Sequence, residues 1–298
     1  MRRFSLVLLA LVVLWAPPAS GEEKRIYTEG LLWRVESQNA PASYVFGTIH
    51  ISDRRVQAVV QDMLQTVGPL DSISLEIVQS PATMAAAAQR MFDLQGPPLS
   101  QRVGAQLFSQ TVAAAAPYGL NATVLERFKP WAVAVTLSLP VSELRAQASG
   151  ELNSEKLLEA HATSNRIALY GIETIDDQLG LFDGLSEAEQ VDMLRLTLQN
   201  SRKTGAIFTR LVNAYLAQDL NDFYRVMEEF SVGQESNLQE FFEGQMIAGR
   251  NRQMVERIQP RLAEGNALIA VGALHLPDEV GVLRLLEQRG YTISPMPR

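Results

Sequence analysis

The chain has 298 residues, 47% hydrophobic and 20% charged, a globular composition that excludes a disordered chain. Its net charge is −7, with acid spread along its length and no basic stripe, so nucleic acid is excluded as a partner. Cysteine is absent, which removes disulfides, thiolate zinc sites, cysteine nucleophiles and a lipid-modified cysteine.

Residues 1–21 are predicted to be an export signal. Arg2 and Arg3 give a positive start, Phe4 to Trp15 an apolar stretch, and Ala19-Ser20-Gly21 a small-residue exit. Twelve residues are too few to span a bilayer comfortably, so cleavage is expected rather than anchoring. Residues 22–298 are then expected to form a single domain, periplasmic or secreted, with no stable membrane span. Removing two arginines leaves 24 basic against 33 acidic residues, a net charge of −9. Nothing in the sequence fixes an oligomeric state.

After the signal, Leu31 to Ser37 and Ser43 to Ile49 read as paired strands turning at Asn39-Ala40-Pro41. Val56 to Val67 has helical spacing and stops at Gly68-Pro69, and Ser72 to Val78 reads as an alternating strand. Helical patterns follow over Ala82 to Leu94, Ser100 to Ala115 and Asn121 to Phe128. Pro130 to Gln147 is predicted as one long apolar helix with proline in its first turn, and Asn153 to Thr163 as another. Arg166 to Glu173 reads as a third core strand. Ser186-Glu187-Ala188-Glu189 is a capping box opening a helix through Leu198. Helices are expected over Lys203 to Ala217, Leu220 to Phe230 and Gln234 to Ile258. The end returns to strand (Asn266 to Ala273), helix (Glu279 to Gln288) and strand (Tyr291 to Ser294). The expected fold is α/β, a central sheet formed by N- and C-terminal strands with a large helical insertion.

Two of the three histidines close the same tetrapeptide, Gly47-Thr48-Ile49-His50 and Gly272-Ala273-Leu274-His275, each after an apolar strand. Strands of α/β folds present chemistry at their carboxyl ends, so two such endings 225 residues apart suggest two halves closing on one site. There is no Gly-x-Ser-x-Gly elbow, His-Glu-x-x-His or phosphate loop. A metal would need one or two imidazoles completed by oxygen ligands, a mixed set that suits Mn²⁺, Fe²⁺, Co²⁺ or Zn²⁺. Glu76, between Leu75 and Ile77, is the natural carboxylate, although an outward-facing residue of an alternating strand would read the same way. Arg250 and Asn251 lie on the helix before the second motif, where arginine could clamp an oxyanion or could lie on a solvated face. His161 sits on a polar helix and reads as a surface histidine.

Taken in order, Gly47-Thr48-Ile49-His50, Leu75-Glu76, Lys129-Pro130-Trp131, Gly171-Ile172-Glu173-Thr174 with Gln178, Arg250-Asn251, Val271-Gly272-Ala273-Leu274-His275, Gly281-Val282-Leu283 and Gly290-Tyr291 resemble the TraB/GumN family, TIKI- and PrgY-like, of the EreA/ChaN-like superfamily. The resemblance covers essentially the whole mature chain. It implies an EreA/ChaN-like α/β fold and, in TIKI-type members, a divalent-cation-dependent peptidase. One departure is Leu152-Asn153, where many relatives carry Leu-Asp.

The expected function is an exported metal-dependent hydrolase acting on a peptide or small-molecule substrate. His50, Glu76 and His275 would hold a divalent cation (Mn, Co or Zn) or its water, with Glu76 as the possible general base. Arg250 and Asn251 would steady charge developing on the carbonyl oxygen. The alternative is a non-catalytic periplasmic binding protein for a peptide or an iron or haem ligand.

Overall fold

A computed structural model describes residues 25–230 and 236–297. The expected signal at 1–21 and the start of the helix expected from Gln234 lie outside the described residues. Six strands form one sheet: β1 (Leu32–Glu36), β2 (Ser43–Thr48), β3 (Ser72–Leu75), β4 (Ala168–Gly171), β5 (Ala267–Gly272) and β6 (Thr292–Pro295). Their order is β4-β3-β5-β2-β1-β6. The four strands from β4 to β2 run parallel, while β1 is antiparallel to both β2 and β6.

This arrangement matches the α/β fold with a helical insertion, because strands from the two chain ends are interleaved. Strand β5, from the far end of the sequence, lies between β2 and β3 and pairs with both. Gly47 pairs with Val271 and Thr48 with Gly272, so the two Gly-x-x-His turns leave the sheet side by side. Leu75 pairs with Ala270, which brings Glu76 to that same carboxyl edge. Between β4 and β5 lie the helices from Ile175 to Glu264, and among the described residues none is long and apolar enough to cross a membrane.

Several sequence expectations are corrected. Ser72 to Leu75 does not alternate between core and solvent, since all four residues are buried. Helices cover both faces of a parallel interior strand, so Ser72 and Ser74 are enclosed with the rest. Arg166 to Glu173 forms a strand only over Ala168–Gly171, and it is a largely exposed edge paired on one side. The long helix expected over Pro130 to Gln147 is two, Pro130–Leu137 and Val141–Ala148, separated at Pro140, which lacks an N–H and turns its predecessor away from helical dihedrals. Ser100 to Ala115 likewise breaks at Gly104, whose φ of +81° ends one helix and begins the next.

The insertion packs on aromatic rings: Trp131 stacks on Phe182, and Phe182 meets Phe241 edge-on. Phe241 opens a π-helical stretch, Phe241–Gly249, that runs directly into the helix Arg250–Glu264. Such i→i+5 segments often mark functional sites. Here it delivers Arg250 and Asn251, both buried, to the edge where the Gly-x-x-His turns emerge.

Candidate functional site

Each Gly-x-x-His turn is held by its backbone. Tyr215, from the helix Thr204–Ala217, donates its hydroxyl to Gly47 O at 2.9 Å. Ser154 Oγ donates to Ile49 O at 2.8 Å, and Ser52 donates through N and Oγ to the buried Glu143 Oε1 at 2.9 and 2.8 Å. In the second turn, Tyr224 from the helix Leu220–Phe230 donates to Leu274 O at 2.9 Å. The insertion therefore fixes both histidine-bearing loops.

The glycines are needed for close packing. A β-carbon on Gly47 would lie 2.7 Å from Leu276 Cδ1 and 3.1 Å from Ala273 Cα, where the second turn crosses the first. Gly47→Ala is expected to destabilise the fold by about 1–3 kcal/mol, because backbone as well as side chain must move. A urea midpoint unchanged from wild type would refute this. Gly272 sits against the site itself: its N–H donates to Glu76 Oε1 at 2.6 Å.

His275 is 5% exposed. Its Nδ1 lies 2.6 Å from Asn251 Oδ1, and Asn251 Nδ2 donates to Val280 O at 2.8 Å. That second bond sets the amide's orientation, so Asn251 presents its oxygen to the ring and Nδ1 carries the proton. The Nε2 lone pair is left facing Glu76 Oε1, 3.9 Å away. Burial lowers the His275 pKa to about 3, the positive charge of Arg250 adds to this, and Glu76 only partly opposes it. The imidazole is neutral at physiological pH.

Glu76 lies just past the end of β3 and is 8% exposed. Its Oε2 accepts from Arg250 Nη2 at 2.6 Å and from Gln178 Nε2 at 2.9 Å. Arg250 also holds Glu173, whose Oε1 accepts from Nε at 2.9 Å and whose Oε2 accepts from Nη2 at 2.6 Å. Gln178 joins the two carboxylates by donating to Glu173 Oε2 at 2.9 Å. Burial alone would raise the Glu76 pKa, but the Arg250 charge, with the Gly272 N–H, holds it well below the usual carboxylate range. Burial likewise opposes the charge on Arg250, and its two carboxylates more than restore it.

The site residues named from sequence thus lie together. His50, Glu76, Arg250 and His275 line one cavity, and Asn251 stands behind His275 as the group that orients it. Arg250, expected to meet a reacting oxygen, is held by two carboxylates. His161 is partly exposed on the helix Ser154–Asn165 and contacts Asn165.

Sequence reasoning missed Glu155. It is 5% exposed, lines the cavity, and lies with Oε1 2.8 Å from His50 Nδ1. That contact is at ion-pair distance, and neither carboxylate oxygen has another hydrogen-bond partner among the described residues. Glu155 stands in the first turn of a helix, where an acid is ordinarily explained by the helix dipole, so no local signal distinguishes it. Asn153, at the departure from Leu-Asp, caps that helix by accepting from Lys156 N at 3.0 Å. Asparagine and aspartate serve this position equally well.

The carboxylates and imidazoles are the right donors for a divalent cation, but they are not grouped as one. Among the described residues no three His, Asp or Glu side chains are placed to hold a metal ion. Glu76 has both oxygens engaged by protein donors, and His50 faces Glu155 rather than His275.

The TraB/PrgY/gumN family model matches residues 31–295, which includes every residue of this site, and the chain belongs to that family. No curated protein matches the chain.

Proposed function

We propose that this TraB/PrgY/GumN family member is an exported binding protein that takes a peptide or another small ligand into the cavity beside the two Gly-x-x-His turns. The observation that carries this reading is the division of the cavity lining. Of its charged lining, Arg250 and Glu76 are paired with each other and held from behind by Glu173 and through Gln178. Its walls are apolar, supplied by Ile77, Phe223, Phe242, Met246 and Ile247. Apolar walls with a few fixed polar groups are the usual form of a ligand site. The open space is about 90 Å³. A cavity of ~150 Å³ takes a benzene, so one small side chain suits this space and a haem does not.

A second reading, the metal-dependent peptidase, is favoured by the set of the histidines. His275 is a neutral imidazole oriented through Nδ1 with Nε2 free, as both metal-ligating and general-base histidines are. Here Mn, Co or Zn would be the candidate ions, with His50, Glu76 and His275 as the residues expected to hold them.

The two readings separate in one experiment. Purified protein is analysed for bound metal, then given a peptide library with added Mn²⁺, Co²⁺ or Zn²⁺ and, separately, with chelator. Binding without turnover that survives the chelator is the expected result. Chelator-sensitive hydrolysis abolished in His275→Ala would replace the binding reading with the peptidase.

A further inference from the structure

Residues 25–30 run beside the second Gly-x-x-His turn and hold it from two sides. Arg25 places its guanidinium carbon 4.5 Å from the centre of the Tyr224 ring, and Tyr224 donates to Leu274 O at 2.9 Å. The same arginine brings Nε to 3.4 Å from Asp278 Oδ2, and Asp278 N donates to Ile26 O at 3.0 Å. Two further backbone bonds, Leu220 N to Thr28 O at 2.8 Å and Gly30 N to Gln218 O at 2.9 Å, fasten the segment to the start of the helix that carries Tyr224.

Asp278 needs such support. Its φ of +73° lies in the left-handed region, which aspartate enters more readily than most residues but still at a cost. Asp278 O accepts from Gly281 N at 2.9 Å, closing the turn that presents Val280 O to Asn251. Asn251 in turn sets the His275 ring. One contact of Arg25 therefore reaches Leu274, just before the histidine, and the other reaches the turn behind it. The Arg25 and Asp278 side chains are 21% and 31% exposed, so theirs is not the fully solvated kind of pair that contributes little. We propose that Arg25 is a positioning residue for His275, clamping through Tyr224 and Asp278 the two ends of the turn that carries the imidazole. That role holds whichever ligand the cavity takes.

The test is NMR of isotope-labelled protein, reading amide hydrogen exchange and the ring nitrogens of the histidines. Arg25→Met keeps much of the stem and removes the charge. In this variant the Leu276 amide, which donates to Ala273 O, should exchange at least about tenfold faster, with β2 and β5 as protected as in wild type. The Nδ1 and Nε2 signals of His275, distinct in the wild type, should move toward each other as the two tautomers mix, while those of His161 stay in place. Arg25→Lys keeps a cation for the Tyr224 ring and for Asp278, so it should restore most of both readouts. Asp278→Asn tolerates the left-handed backbone and loses the ion pair. It should show the same changes to a smaller extent, and it decides the question alone if Arg25→Met does not fold. Exchange and ring signals that stay at wild-type values in these variants would overturn the proposal. So would an equal loss of protection in β2 and β5, or an Arg25→Lys variant no better than Arg25→Met, since either would make Arg25 a contributor to general stability alone.

Discussion

Arg250→Met should destabilise the fold by about 3–5 kcal/mol, the largest effect expected of any single substitution at the site. The guanidinium is 5% exposed and is the cation in contact with both Glu76 and Glu173. Methionine fills much of the same volume, so the loss does not come from a cavity. It comes from two buried carboxylates left with Gln178 and the Gly272 N–H as their remaining donors. Arg250→Lys should recover only part of the loss, because one ammonium cannot reproduce the fork that meets Glu173 through Nε and Nη2 while also reaching Glu76. Adding Glu76→Gln and Glu173→Gln to Arg250→Met should restore much of the stability, since the unpaired charges go with their partner. Urea unfolding with an unchanged slope measures all three. A single Arg250→Met variant within about 1 kcal/mol of wild type would show that the network is not held as described.

Acidification should unfold the protein early, with stability beginning to fall below about pH 6.5 rather than only in the carboxylate range. His275 titrates near 6.5 when unfolded and at about 3 when folded, because burial and Arg250 disfavour its charged form. Between those values the unfolded chain binds the proton and the folded chain does not, so stability decreases as pH falls. The full contribution is present above the unfolded value and is lost progressively toward pH 3, on the order of 5 kcal/mol. Glu76 adds to the lower part of the same limb. Its folded pKa is depressed beneath its ordinary 4.5, so its contribution is present above 4.5 and disappears below it. His275→Gln keeps a donor for Asn251 and removes the titration, so its stability should be flat between about pH 6.5 and 5 where the wild type slopes. Wild-type stability that is level across that window would contradict a buried neutral His275.

The sequence by itself carried the site's principal parts. Two apolar strands each running into Gly-x-x-His could be read as adjacent endings at one sheet edge, and Gly47 and Gly272 do leave neighbouring strands there. Its order of strands and helices also carried the α/β class, with strands from both chain ends and helices between, because hydrophobic period and turn residues are local properties. Local pattern erred where tertiary cover decides exposure. Ser72 and Ser74 look like an outward face, yet helices enclose both sides of β3, and Ala168–Gly171 looks like core but lies on the edge.

Pairing across the chain was decided only by the tertiary structure. Arg250 could equally have been a solvated helical residue. It is instead a buried cation because β3, the turn after β4 and a helix from the far end of the chain bring Glu76 and Glu173 within 2.6 Å of its Nη2. Asn251 likewise orients a histidine 24 residues away. Glu155, indistinguishable in sequence from any acid opening a helix, is set apart only by its burial beside His50. Burial and partner choice are sums over elements distant in sequence, so the residue types were legible in the chain and their charges, orientations and partners were not.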